Sequence, residues 1–183
     1  MGQTQTSYYQ SLYEAAAIVN SARAPETVLH SIAENVAKAL GAKGCSVMLL
    51  TPDRRLLIHA ATYGLSEHYI RKGLVSADKS SAEALMGQPV AILDAITDKR
   101  IQYPKEAKEE GIISMLSVPV LLRSEVIGVI RVYTSEARQF TDEDIHFVGA
   151  VANLGAIALE NARLYESLQR DYNALKHYYF PFL

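Results

Sequence analysis

Residues Ile112 to Leu121 and Val126 to Tyr133 are two nearly uninterrupted apolar runs separated only by Leu122-Arg123-Ser124-Glu125. A connection that short brings the chain back alongside itself, so the two runs pair as an antiparallel hairpin. Their apolarity on successive positions, not merely alternate ones, means that both faces of the hairpin are covered. The rest of the chain must therefore supply two covering layers. Gly128 interrupts the second run. A glycine there weakens the strand unless a packed helix or a ligand approaches the backbone, and packing is the simpler reason.

The segments that can cover the hairpin are legible from their periodicity. Leu12, Ala15, Ala16 and Val19, then Val28, Ile32, Val36, Ala39 and Leu40, recur at helical spacing and predict two helices. Pro25 suits the first position of the second helix, where its missing N–H would be unpaired anyway, and Gly41 provides its stop. Cys45 to Leu50 and Leu56 to Thr62 predict another hairpin, turning through Thr51-Pro52-Asp53-Arg54. An irregular stretch follows from Gly64 to Gln88, within which Ser80-Ser81-Ala82-Glu83 has capping-box spacing and predicts a short helix to Met86. Pro89 to Leu93 reads as a strand and Asp94 to Gly111 as a polar loop. Hairpins joined by tight turns imply an α+β fold around a central antiparallel sheet of about five to six strands.

Thr141 and Asp144 begin a helical pattern that runs without proline to Leu175, about nine turns. That exceeds what a core of this size needs, so its far end is expected to pack on another chain. With Leu154 at a and Ile157 at d, the seam continues through Asn161, Leu164, Leu168, Asp171 and Leu175. This is a coiled-coil-like stripe in which a buried Asn161 would fix the register of two helices. The plainer reading is an amphipathic face packed within one monomer.

Composition narrows the function classes. Eighteen Lys and Arg against twenty Asp and Glu leave a net charge of −2, so no whole-chain field draws in nucleic acid or an acidic membrane. No apolar run approaches the ~20 residues of a membrane span, and Val126 to Val132 is broken by Gly128 and Arg131. The start Met-Gly-Gln-Thr-Gln-Thr fits a myristoylation pattern but lacks the polybasic second signal that stable anchoring requires. The single cysteine, Cys45, excludes an internal disulfide framework and a Cys-x-x-Cys motif, and a reducing cytoplasm is the simplest home. His30, His59, His68, His146 and His177 show no metal-ligand spacing, and nucleophile-elbow, phosphate-loop and zinc-helix motifs are absent. Cys45 opens an apolar strand, where a buried inert thiol is expected.

Three stretches together resemble the GAF domain, a small-molecule sensor module of signalling proteins. They are Glu26 to Leu40 followed by Gly44-Cys45-Ser46-Val47-Met48-Leu49-Leu50; Ser114 to Leu121 followed by Glu125-Val126-Ile127-Gly128-Val129-Ile130; and Phe140-Thr141-Asp142-Glu143-Asp144 leading to Val151–Ala162. The similarity covers roughly residues 10 to 166. It implies terminal helices on one face of the sheet and a ligand-pocket connection on the other. The domain is expected over residues 25–160, with residues 1–24 as a dimer or linker helix and 161–183 as a helical signalling extension. The tip differs from the more usual lysine-glycine by carrying Ser124, which leaves its turn type open.

The resemblance also sorts ligand subclasses. Members that reduce free methionine sulfoxide use several cysteines, and this chain has one. Phe140 and Asp144 match the cyclic-nucleotide pattern, but Ile145 replaces its glutamate and Tyr133-Thr134 stands near its asparagine-lysine pair. Covalent bilin attaches in the connecting region, whereas Cys45 lies in the first strand. Haem ligation by a histidine has no supporting motif, so the cofactor is unknown. The implied pocket lies between the sheet and Gly64 to Gly111. Its candidate ligand-binding residues are Tyr63, Tyr69, Arg71, Asp94, Arg100 and Tyr103, with Ser114 and Ser117 on the adjoining strand. Either arginine suits an anionic group and each tyrosine offers an apolar face with a hydroxyl.

The expected function is therefore non-enzymatic: a sensory domain that binds an unidentified small molecule and passes its state through dimeric terminal helices to an output domain or partner such as a kinase or cyclase. Two alternatives stand beside it. One is a ligand-free dimerisation module whose pocket is filled by Met48, Met115 and tyrosines. The other is an enzyme relying on a strongly shifted carboxyl, for which Asp94 is the candidate.

Overall fold

A computed structural model describes residues 2–20, 24–79 and 82–179. Six strands run β1 (Gly44–Leu50), β2 (Leu56–Tyr63), β3 (Val75–Ser76), β4 (Val90–Ile92), β5 (Ser114–Leu122) and β6 (Glu125–Thr134). They form one antiparallel sheet in the order β3-β2-β1-β6-β5-β4. The two apolar runs thus become β5 and β6, with β6 central and paired on both sides. Arg123 (φ 49°) and Ser124 (φ 71°) are both left-handed, which makes their two-residue connection a type I′-like turn. At Gly128 the close neighbour is the backbone of β1, not a helix or ligand: an added Cβ would stand 2.2 Å from the Met48 carbonyl oxygen.

One face of the sheet is covered by α1 (Gly2–Val19), α2 (Pro25–Ala39) and α6 (Asp142–Tyr179). Pro25 begins α2, and Gly41, at φ +57°, lies just beyond its end. Ile32 and Val36 of α2 and Phe147, Val148 and Val151 of α6 pack against Val47, Leu116, Val118, Ile130 and Val132. This is the larger core, and truncating one of its large buried side chains to alanine costs about 2–5 kcal/mol. Tyr8 and Ala15 carry α1 into the same layer. α6 is long and apolar enough to match a marginal membrane span. Its inner residues are buried against the sheet and α2, so packing within the domain accounts for much of that apolarity.

The opposite face is covered by the connection, which carries α3 (Glu67–Ile70), α4 (Ala82–Leu85) and α5 (Pro104–Glu109). The Ser80-Ser81 half of the proposed capping box lies outside the described residues. A second core sits here, built from Met48, Leu57, Met115, Val129 and Tyr133 of the sheet beneath Tyr69, Ala84, Ile101 and Ala107.

The register between β1 and β2 shifts between Val47, opposite Ala61, and Met48, opposite His59. This bulge places one extra residue on β2 and exchanges the faces of everything before it. Ala60 and Ala61 both pack toward the helices. His59, opposite Met48, faces the connection instead.

Candidate functional site

The layer between sheet and connection contains polar groups that an apolar core does not need. On β6, Arg131 is 5% exposed, between Val129 and Tyr133 on the inward side. Its Nε donates to Ser117 Oγ at 2.8 Å, from the residue directly opposite it on β5. On its other side the opposite residue is Ser46 of β1, whose hydroxyl shares a 2.9 Å hydrogen bond with that of Tyr133. Two serines and a tyrosine therefore brace a buried row whose charge comes from Arg131.

His59 reaches this row from β2. Both ring nitrogens are buried and neither has a hydrogen-bond partner among the described residues. Burial, reinforced by the positive charges of Lys72 and Arg131, pushes the imidazole down to about 4, so it is neutral at ordinary pH. A neutral imidazole has one donor and one acceptor, and each unpaired buried polar group costs about 1–3 kcal/mol. An unsatisfied polar group of this kind calls for an explanation.

Lys72 comes from the connection, just after α3. Its Nζ donates to the Tyr69 carbonyl at 3.0 Å and lies 3.7 Å from the centroid of the Tyr69 ring. Burial, then Arg131, lowers this ammonium to about 8, against the opposing pull of Glu106 and Glu110. The Tyr69 ring meets Tyr133 edge-on at 5.7 Å. Burial raises both phenols above their ordinary value, so they remain protonated donors. Lys72 also lines a surface cleft of about 470 Å³ between α3 and α5, with Glu67, His68, Arg71, Lys105, Glu106 and Glu109.

The covering segment is held down by specific bonds. Tyr103 donates its hydroxyl to the Leu74 carbonyl at 2.7 Å, and Gln102 bridges Ser76 N–H and the same carbonyl. Gly73, at φ +135°, lies against the Tyr103 ring, so a side chain there would meet strained backbone and an occupied space together. Ser66 donates its amide to Glu110 at 3.0 Å and its hydroxyl to the same carboxylate. Burial would raise Glu110, but Ser66 and Lys43 outweigh it and hold the carboxyl low.

The structure separates the residues singled out from sequence. Tyr69 and Ser117 stand within the buried row, and Tyr103 anchors its cover. Arg71 lines the outer cleft, largely exposed and paired with Glu67. Tyr63 lies on the helical side, near His30 and Lys38. Ser114, buried at the end of β5, donates to the Leu93 carbonyl and accepts from Arg138 N–H. Arg100 is occupied at the surface by Asp98 and Glu83. Asp94 closes its own loop by accepting from Ile96 N–H and the Thr97 hydroxyl, which hold its carboxyl low. A carboxyl held low does not store a proton for acid catalysis. Cys45 is fully buried and burial raises its thiol, the opposite of nucleophile activation. Among the described residues, no group of three or more His, Cys, Asp or Glu is placed to hold a metal ion.

His59, Arg131 and Lys72 were not singled out from sequence as binding residues. Arg131 did leave a signal, as the lone charge inside an apolar strand. His59 and Lys72 left none, because the bulge and the folded cover determine their surroundings.

Outside this layer, the far half of α6 carries an uncovered stripe. Ile157, Leu164, Leu168 and Leu175 are all exposed, with Leu168 at 67%, as are Tyr165 and Tyr172.

A family model described as GAF domain matches residues 22–160. The Escherichia coli (strain K12) protein named "Phosphoenolpyruvate-dependent phosphotransferase system" is 27% identical over 155 residues, 84% of this chain and 21% of that protein. The "Methyl sulfide methyltransferase-associated sensor" of Methanosarcina acetivorans is 25% identical over 139 residues, 72% of this chain and 14% of that protein. The chain thus spans about a fifth or less of the length of these curated relatives. A solved GAF domain from a phosphoenolpyruvate-protein phosphotransferase of Coxiella burnetii shares the fold, with TM-score 0.78 and 21% identity over 88% of this chain and 98% of that one.

Proposed function

Because the chain belongs to the GAF domain family, we propose that it is a non-enzymatic sensor unit that binds a small molecule between sheet and connection and passes the bound state through paired terminal helices. The observation that carries the reading is His59, whose two buried ring nitrogens have no hydrogen-bond partner among the described residues, in a layer filled largely by apolar and aromatic side chains. Burying such groups is costly unless something compensates them. A ligand provides that compensation, and the cover pinned by Tyr103, Gln102 and Ser66 is the part that closes over it.

The output follows from α6. It packs on β5 with its inner face and leaves its far stripe exposed. A second copy of that stripe buries it, giving a homodimer in which residues 25–160 sense and 161–183 transmit to an output domain or separate partner, such as a kinase or cyclase. The curated relatives, one named a sensor and one a phosphotransferase system, fit a regulatory module acting on a larger signalling assembly. The lone buried cysteine fits a reducing cytoplasm. A ligand shifts the helices only by its different affinity for their two arrangements, typically about 1–3 kcal/mol.

A specific observation favours a second reading. Met48, Met115, Tyr69 and Tyr133 are all buried in this layer, as a self-filled, ligand-free dimerisation module would have them.

Spin labels on Leu168→Cys test transmission, since buried Cys45 does not compete for the label. The expected result is a changed label-to-label distance when the low-mass fraction of a cell extract is added. An unchanged distance in a sample that has taken up a ligand refutes transmission.

A further inference from the structure

Two turns meet at one end of the sheet, and two ion pairs join them to α6. Arg54, in the β1–β2 turn, donates through Nη1 to Glu125 Oε1 at 2.9 Å and through Nη2 to the Val126 carbonyl at 3.3 Å. Glu125 and Val126 begin β6, directly after the β5–β6 tip. From that tip, Arg123 Nη2 reaches Glu160 Oε1 of α6 at 2.5 Å. Glu160 stands where the helix leaves the domain. Leu159 is the last buried residue of α6 among those described, whereas Leu164, Tyr165 and Leu168 are exposed.

The backbone marks the same place. Among the described residues, the non-glycine residues at positive φ are Arg54 (60°), Arg123 (49°) and Ser124 (71°), all on these two turns. Such residues persist where surrounding contacts over-determine them, and they gather at switch regions. Arg54 also lines a groove of about 330 Å³ with Leu50 of β1 and Ala77, Leu85 and Met86 of the connection. It therefore faces the connection on one side and holds the β5–β6 tip on the other.

We propose that the β5–β6 tip is a coupling element: through Arg54–Glu125 and Arg123–Glu160, the seating of α6 at its exit depends on the position of the β1–β2 turn and the connection beside it. Coupling of this kind runs through contiguous contacts that can be made or broken. Exposed ion pairs are weak and so exchange readily between those states. The Glu160 side chain is only 25% exposed, so its pair with Arg123 is less screened than one fully in water. The inference rests on reading α6 as the output helix and needs no particular ligand.

Hydrogen exchange of the full chain tests it, comparing wild type with Arg54→Met, Arg123→Met and the double variant. Arg54 bonds to Glu125 and Val126, not to α6, so its loss reaches the helix through the tip. The amides of residues 157–164 are expected to exchange about two- to fivefold faster in each single variant, while those of α2 and β5 keep wild-type rates. The double variant should match the faster single one, because both substitutions break one chain of contacts. Reversing the first pair, with Arg54→Glu and Glu125→Arg together, should restore wild-type exchange. Should Arg54→Met fail to fold, Glu125→Gln breaks the same pair from its other partner. Wild-type exchange at 157–164 when that pair is broken, or effects of the two single variants that multiply, overturns the proposal. The output reading fails separately. Faster exchange in Arg54→Met, with a Leu168→Cys label distance that no bound ligand changes, keeps the coupling and removes the output role. A ligand-dependent distance with unaltered exchange keeps the output role and removes the coupling.

Discussion

The Tyr8 hydroxyl donates to Asp144 Oδ1 at 2.5 Å, joining α1 to the first turn of α6 across 136 residues of sequence. The Tyr8 ring stacks on Phe147 at 4.5 Å, and Asp144 Oδ2 accepts from Thr141 N–H while Thr141 Oγ1 accepts from Asp144 N–H. Arg138 completes the junction, donating to Asp144 and to the Leu40 carbonyl at the end of α2. Burial alone would raise the Asp144 carboxyl, yet these donors hold it low. One side chain thus caps α6 and fastens it to α1.

Tyr8→Phe is expected to lower stability by about 1 kcal/mol, the net worth of one hydrogen bond. Asp144→Ala is expected to cost about 3 kcal/mol, since it uncaps α6 and leaves Arg138 uncompensated. Urea unfolding of both variants reads the difference. Equal costs would mean that the tyrosine contact, and not the cap, is what matters.

Stability should fall as pH drops from about 6.5 toward 4 because of His59. Its folded value is about 4, below its ordinary 6.5, so the unfolded chain binds the extra proton within that window. The loss is on the order of 1–2 kcal/mol after solvent screening of a partly exposed group. Asp144 acts in the same direction, but its stabilisation is lost only below its ordinary 3.8. His59→Leu should therefore flatten the stability profile between pH 7 and 5 and leave the steeper acid limb in place. An unchanged slope in that interval would remove His59 from the buried layer.

Much of the frame was legible, and its illegible parts share a cause. Strands β5 and β6 announced themselves by apolarity, α2 by Pro25 and its spacing, and α6 by an unbroken helical pattern. Those are local signals. The faces of β2 were not legible, because simple alternation across residues 57–63 assigns His59 and Tyr63 to one side. The bulge breaks that alternation: Tyr63 goes to the helices and His59 to the connection. Lys72 gains its environment only when Tyr103 and Gln102 fold the cover down. Arg131 alone was visible, as a charge that a doubly covered strand would otherwise exclude.

The tip of the central hairpin is strained in a way that can be relieved. Arg123 and Ser124 both adopt positive φ without being glycine or asparagine. Ser124→Gly is expected to stabilise by about 0.5–1 kcal/mol, provided relief of the left-handed strain exceeds the entropy glycine adds to the unfolded chain. Thermal unfolding checks it, and a lowered midpoint would contradict the turn assignment.

Gly128→Ala has the opposite expected sign. Its Cβ would collide with the Met48 carbonyl oxygen and come within 3.0 Å of Leu49 Cα, both backbone atoms that cannot swing aside. Separation of β1 from β6 should cost about 2 kcal/mol or more and show as a lower urea midpoint. A neutral substitution would mean that the two strands are further apart than described.

If the α6 stripe is the dimer seam, Leu164→Glu combined with Leu168→Glu places charges in it without touching the core, where neither residue is buried. Light scattering should report a dimer for wild type and a monomer for the double variant, with near-unchanged circular dichroism from the folded domain. A wild-type monomer would refute the paired-helix output directly.

The most direct test of the sensor account is native mass spectrometry of the protein equilibrated with the low-mass fraction of a cell extract. The account predicts a dimer carrying one small-molecule adduct per subunit, released on denaturation and lost or weakened in His59→Leu. A dimer whose mass equals that of the bare chains, with Met48, Met115, Tyr69 and Tyr133 filling the layer, would contradict it and establish the ligand-free module instead.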